Sequence, residues 1–272
     1  MSFILCIGLF GTTIDKNKVI FKKVNMINYG RGFGSIPPVT KNLIIINVVM
    51  LAISWTAASI FNINLNHVFG LYFPKSELFR PYQVVTHMFM HGGLTHLFFN
   101  MFALYMFGRV LESVWGPKRF FIYYMVTGLG AAATHMGVNA LQYYRLLTEL
   151  SSAQMDLILS EGHEVLMRGQ NYVDTASGSI NAVLNIPTVG ASGAVFGILL
   201  AFGMLFPNTQ LMLLFPPIPI RAKWLVIGYG ALELYLAITQ PGSSIAHAAH
   251  LGGMIFGYIL IKYWRKTTNT LY

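Results

Sequence analysis

Ser192 is a lone hydroxyl among small residues, in the stretch Gly190-Ala191-Ser192-Gly193-Ala194-Val195-Phe196-Gly197 at the start of an apolar segment. A serine hydroxyl is a weak nucleophile until a base within hydrogen-bond reach takes its proton. On its own the stretch is explained by packing, since Gly193 and Gly197 form a small-xxx-small pair that lets membrane helices approach closely. The reading changes when Ala249-His250-Leu251-Gly252-Gly253 is set beside it. His250 is the candidate base, because an ionisable side chain inside an apolar span is costly and marks function by default. Ala249, Gly253 and Gly257 leave its helix face nearly bare, so that helix can pack on the glycines around Ser192. His247, one turn earlier, is the rival base, but it lacks a following x-x-Gly.

A serine nucleophile attacking an acyl carbon also needs donors aimed at the oxyanion. His96 and Asn100 are four residues apart and share one helix face. Both can donate, as can the backbone amide of Ser192. The structural alternative for the first two is an interhelical hydrogen-bond pair, which does not exclude the catalytic role. His87, His91 and His96 also raise a metal reading. Zinc sites want three or four protein ligands with a carboxylate behind them, and no Asp or Glu lies between Glu77 and Glu112. No metal and no cofactor is expected, and His91-Gly92-Gly93 reads as a turn entering a helix. Glu233 is the one carboxylate well inside an apolar span. The sequence does not name its partner, so the reading stays a Ser-His dyad without a third member.

These residues need helices to position them, and the composition says in what solvent. With 55% hydrophobic and 10% charged residues, the chain does not read as soluble. Its net charge of +9 points to topology rather than to nucleic acid, because the basic residues gather on one side of the apolar segments. The single cysteine, Cys6, excludes an intrachain disulfide framework and a cysteine-rich metal site.

Residues 1–40 carry a short apolar run followed by Lys16, Lys18, Lys22 and Lys23, which fits a cytoplasmic tail better than a signal peptide. Met26 is a second candidate start. Apolar segments of about the 20 residues that a bilayer core requires fall at 43–61, 94–110, 120–141, 189–206, 223–239 and 243–263, giving six spans. Residues 62–85 form a long, partly apolar connection expected to dip into the interface. Trp115-Gly116-Pro117 signals a turn between spans two and three. Residues 143–187 hold Glu149, Asp156, Glu161, Glu164 and Asp174 against Arg145 and Arg168, and read as an extramembrane insertion with a helix near 149–168.

Every Lys and Arg except Lys75, Arg80, Arg145 and Arg168 lies in the first tail, the 2–3 and 4–5 connections or the C-terminal end. Basic residues mark cytoplasmic loops, so both termini are expected inside. Ser192 and His250 then lie toward the outer face. His250, about seven residues into its segment, would be about 10 Å deep.

The motifs Gly190-x-Ser192-Gly193, Ala249-His250-x-x-Gly253 and His96-x-x-x-Asn100, in that family's order, resemble the rhomboid family of intramembrane serine proteases. The resemblance covers residues 42–264, and residues 265–272 remain as a C-terminal tail. It implies an all-α polytopic membrane domain over 41–264 with a six-helix core, a Ser192–His250 dyad, and an oxyanion hole of His96, Asn100 and the Ser192 amide. It also implies a water-accessible cavity open to the outside, and transmembrane protein substrates cleaved near their outer ends. The expected location is a cell (inner) membrane. Gly190, Gly193, Phe196, Gly253 and Gly257 are the packing residues near the site. Glu112 resembles the family's acidic residue after span two.

Two departures stand out. The family's first loop often carries Trp-Arg where this chain has Tyr82-Gln83, and the aromatic that often stacks on the histidine as Tyr is here Phe196. The competing functions are a catalytically silent rhomboid-like protein that binds or escorts membrane clients, and a small transporter. The first should lack the serine or the histidine. The second would use broken helices or paired midplane charges, to which only Glu233 corresponds.

Overall fold

The computed structural model describes residues 7–8, 36–213, 217–240 and 246–267. The expected N-terminal tail and the C-terminal residues 268–272 lie largely outside them. Helix α1 (Pro38–Phe61) opens with proline in its first turn and ends at Asn62, which adopts the left-handed conformation (φ 54°) that helix C-termini favour. Its buried residues Thr40, Leu43, Asn47 and Leu51 form one stripe. Ile45, Ile46, Val48, Val49 and Ile53 face outward. An outward face of that composition suits lipid rather than water.

The first N–H groups of a helix have no partner within it. Here the buried Glu112 supplies one from 72 residues away. Its carboxylate accepts from Val39 N (2.9 Å), Thr40 N (2.7 Å) and Thr40 Oγ1 (2.7 Å). That caps α1 and places a negative charge at the positive end of its dipole.

Short helices α2 (Leu65–Phe69) and α3 (Gln83–Thr86) lie in the connection after α1. Helix α4 (Leu94–Ala103) continues through a π-helical turn, Leu104–Gly108, into α5 (Arg109–Trp115). Gly116 (φ 78°) turns the chain, and Pro117 starts α6 (Pro117–Leu147). This helix outruns the expected third span and takes in the first residues of the supposed insertion. The rest of that insertion forms two helices where one was expected: α7 (Ser152–Met167), opened by a Ser151–Gln154 capping box, and α8 (Thr175–Asn185), opened by Asp174. Asp174 accepts from Ser177 N (2.8 Å) and Oγ (2.7 Å), which holds its carboxyl below the usual range. A second core of Phe73, Tyr143, Ile158, Ile180, Val183 and Leu184 ties α6, α7 and α8 to the first connection.

Helix α9 (Ser192–Leu205) is buried nearly all round, as a helix apolar on every face must be. It packs against α6 and α11 (His247–Thr267), which also pack on each other. A small antiparallel sheet, strand order β1-β2-β3, joins β1 (Ile7–Gly8), β2 (Gln210–Leu213) and β3 (Pro219–Arg221). Strands β2 and β3 lie in the connection after α9, and β1 comes from the expected N-terminal tail. Helix α10 (Ala222–Thr239) follows.

A helix thus occupies each of the six expected spans. Among the described residues, two stretches are long and apolar enough by themselves to cross a membrane: Pro38–Phe61 and Leu94–Trp115. Helices α6 and α11 bury Gly, His, Tyr and Thr residues, among them Tyr123, Thr127, His247, His250 and Gly257. The expected sixth span starts within residues 241–245, outside the described residues, and His250 stands in the first turn of α11. It stands three residues past the start of that helix, roughly 4.5 Å along its axis.

Candidate active site

Glycines bring α6, α9 and α11 into contact. A Cβ on Gly253 would collide with the Gly193 carbonyl, and one on Gly193 would collide with Ala131 of α6. A Cβ on Gly257 would collide with the Tyr123 hydroxyl, which donates to Gly197 O at 2.8 Å. The bare stripe of α11 therefore lies against the α9 backbone, and one result is that Ser192 Oγ and His250 Nε2 are 2.9 Å apart. Phe196, one turn beyond Ser192, stacks on the His250 ring with centroids 4.2 Å apart and planes 8° from parallel. The missing tyrosine hydroxyl leaves this contact intact.

Ser192 is the first residue of α9, so its N–H belongs to the helix end whose donors lack intrahelical partners. Gly190, at φ +124°, holds the approach to it open. A Cβ there would come within 2.8 Å of His96 Cε1 and 2.9 Å of His96 Nε2. His96 Nδ1 accepts a long contact from Gly92 N (3.4 Å), which leaves the ring proton on Nε2, the atom facing Gly190. Asn100 is buried, and among the described residues its Nδ2 has no hydrogen-bond partner. Buried donors are normally satisfied, which singles this amide out.

The first connection fixes the segment that precedes α9. Leu71 and Thr188 exchange backbone hydrogen bonds, both 2.9 Å, and Gly190 N donates to His87 O (2.9 Å). At the place of the absent arginine, buried Gln83 anchors this connection. Its Oε1 accepts from Arg80 N (3.0 Å), and its Nε2 donates to Leu78 O (3.1 Å) and Val68 O (3.2 Å). The Tyr82 hydroxyl donates to Val68 O (3.1 Å). An amide thus does with neutral bonds what a guanidinium would do with charge.

His87 and His91 are buried in the same connection, and burial lowers each to about 4. His91 lies edge-on to His96 with centroids 5.1 Å apart. Among the described residues His87, His91 and His96 do not converge as a ligand set. The group whose donor atoms do converge, within 4.8 Å of one another, is Glu233, His247 and His250.

Glu233 is the residue whose position the sequence left open. It is buried on α10. Its Oε2 lies 2.7 Å from His247 Nδ1, in a hydrogen bond, and 3.0 Å from His250 Nδ1. The second contact is close but off the hydrogen-bond axis, so among the described residues His250 Nδ1 has no well-formed bond. The signal in the sequence was a carboxylate in an apolar span, which needs a partner in the bilayer. His247, the rival base, proves to be that partner, and the nitrogen that meets Ser192 belongs to His250.

Fold and site together define a helical membrane protein with a serine and a histidine paired across two glycine-packed helices. The Rhomboid domain family matches residues 78–267, more than half of the chain, and the chain belongs to that family of multi-pass membrane proteins. It is 25% identical over 186 residues to "Rhomboid protein 1, mitochondrial" of Saccharomyces cerevisiae, covering 68% of this chain and 42% of that protein. It is 28% identical over 174 residues to "RHOMBOID-like protein 12, mitochondrial" of Arabidopsis thaliana, covering 64% and 44%. With "Rhomboid protease AarA" of Providencia stuartii it shares 27% identity over 195 residues, covering 67% and 57%. The chain spans about half the length of these relatives.

Proposed function

We propose that the chain is an intramembrane serine endopeptidase that cleaves transmembrane protein substrates near their outer ends. The observation that carries this reading is the 2.9 Å separation of Ser192 Oγ and His250 Nε2, held on helices that approach too closely for any side chain larger than glycine. His250 takes the hydroxyl proton as Oγ bonds to the scissile carbonyl carbon, and the carbonyl electron pair moves onto oxygen. His96 Nε2, Asn100 Nδ2 and the Ser192 N–H stabilise that oxyanion. His250 then protonates the leaving amine, and water hydrolyses the acyl-enzyme. Kinship with a relative named as a protease supports the reading.

Six helices cross a cell (inner) membrane in this reading, with both termini on the cytoplasmic side and the 143–187 helices outside. The basic-residue asymmetry supports that orientation. Cysteine labels within 152–167, in a chain lacking Cys6, react from outside, and labels at 217–222 react only after the membrane is opened. The reverse pattern inverts the protein.

The test of activity uses the purified full chain in detergent with a model transmembrane substrate. Wild type cleaves, while Ser192→Ala and His250→Ala do not, and both variants keep the wild-type circular dichroism. Cleavage by either variant near the wild-type rate removes the dyad.

A further inference from the structure

The family resemblance supplies a two-residue mechanism, but His250 in this chain has a carboxylate behind it. We propose that Glu233 is a positioning residue for His250, held in place by His247, so that the site works as a Ser-His-Glu relay. This inference rests on the proposed serine-protease reading and adds a third member to it.

Three contacts define the His250 ring. Phe196 fixes its plane, Ser192 Oγ meets Nε2 at 2.9 Å, and Glu233 Oε2 lies 3.0 Å from Nδ1. A carboxylate on that side favours the tautomer with the proton on Nδ1. Nε2 is then left with its lone pair toward the serine, the state a general base requires. When Nε2 takes the Ser192 proton, the imidazolium charge forms beside the carboxylate, which stays ionised. The off-axis angle in the resting contact tightens as that charge develops, since catalytic hydrogen bonds are often poorly aligned before substrate binds.

Glu233 is itself positioned. Its neighbours on α10, Leu232, Leu234 and Tyr235, are exposed apolar residues, while Glu233 is buried. The helix therefore turns one acidic side chain inward from an otherwise lipid-facing turn. The 2.7 Å bond from His247 Nδ1 orients the carboxylate, and on α11 His247 is one turn before His250. Distances also distinguish a proton-sharing arrangement from a metal site. Two nitrogen or oxygen ligands on one tetrahedral zinc, each about 2.1 Å from the ion, stand about 3.4 Å apart. Separations of 2.7 and 3.0 Å are those of groups that share protons.

A merely structural Glu233 would clamp α10 to α11 through His247. Glu233→Gln separates the two roles. The amide oxygen can still accept from His247, so the clamp survives. That oxygen stands where Oε2 meets both rings, so the variant keeps the contact with His250 Nδ1 and removes the negative charge against which the imidazolium forms. The measurement is the rate of Ser192 labelling by a fluorophosphonate on the detergent-solubilised full chain, together with the thermal midpoint and with kcat and KM on the model transmembrane substrate.

The expected result for Glu233→Gln is labelling and kcat slower by about tenfold or more, with KM and the midpoint close to wild type. Glu233→Asp recovers part of the rate. Nitrogen-15 NMR of the histidine side chains in the wild-type chain gives a readout that needs no Glu233 variant to fold, and it should find the His250 proton on Nδ1. Labelling of Glu233→Gln within about twofold of wild type, or a His250 proton on Nε2, overturns the relay and leaves the dyad standing. A wild-type chain that labels no faster than Ser192→Ala overturns the protease reading and the relay with it.

Discussion

Helices α9 and α10 are neighbours in sequence and opposites in construction. On α9 the buried set runs from Gly193 to Leu205 and includes residues on every face. On α10 it is Ala222, Leu225, Val226 and Glu233, with Trp224, Ile227, Leu234, Tyr235 and Ile238 exposed. Ser192, the proposed nucleophile, stands on the helix that is buried on nearly every face. The carboxylate stands on the one that is held by a few contacts at one end and by a polar cluster at the other. Close packing of small residues fixes position to a fraction of an ångström, because any displacement meets backbone. A hydrogen-bonded cluster fixes only the side chains that share it. The difference teaches that the Ser192–His250 pair is a property of the α6, α9 and α11 interface, while the surroundings of His250 Nδ1 depend on where α10 lies.

Changes that break the contrast rank by what they remove. Ser192→Ala and His250→Ala delete the proposed nucleophile and its proposed base, and turnover should fall at least about 10³-fold without a change in the thermal midpoint. Measuring kcat/KM on the model substrate checks this. Next come His96 and Asn100, the proposed oxyanion donors. Asn100→Ala or His96→Ala should lower kcat by on the order of 10²-fold with little change in KM. A purely interhelical pair would instead contribute about 0.6 kcal/mol and leave turnover nearly normal.

Packing variants sharpen the comparison further. Gly253→Ala places a methyl against the Gly193 carbonyl and should destabilise by about 1–3 kcal/mol. It should also abolish labelling in the protein that remains folded, because α11 must move and carry His250 away. Should Gly253→Ala label like wild type with an unchanged midpoint, the interface is looser than its glycines imply. The smallest effect belongs to the lipid-facing side of α10. Ile227→Ala leaves every buried contact in place and should alter stability by less than about 0.5 kcal/mol, with wild-type labelling. A large loss there would mean that α10 is held by more than the buried set.

The first connection and the 143–187 region draw the same distinction on a smaller scale. Asp174, Ser151 and Gln154 cap their helices through neighbours in sequence, and such caps are local enough to read from residue types. Gln83 was legible only as a departure from the family pattern. Its role came from four backbone groups that the folded loop brings around one amide.

The amino-acid sequence by itself determined the helical class and the approximate positions of the helices, and it singled out Ser192, His250 and the small residues beside them as candidates. Each follows from a local rule. An apolar run of bilayer length becomes a helix because its backbone must satisfy itself in lipid, a glycine stripe marks a close approach, and an ionisable group in an apolar run needs a reason. What only the tertiary structure decided were the contacts between distant residues. Glu112 reaches the start of α1 from 72 residues away, Gly190 clears room for His96, and Glu233 meets both His247 and His250. Helical periodicity says which residues share a face, but not how that face is rotated against the next helix. The rotation of α10 and α11 is set by side-chain volumes at their contact, and it determines whether Glu233 reaches His250 Nδ1.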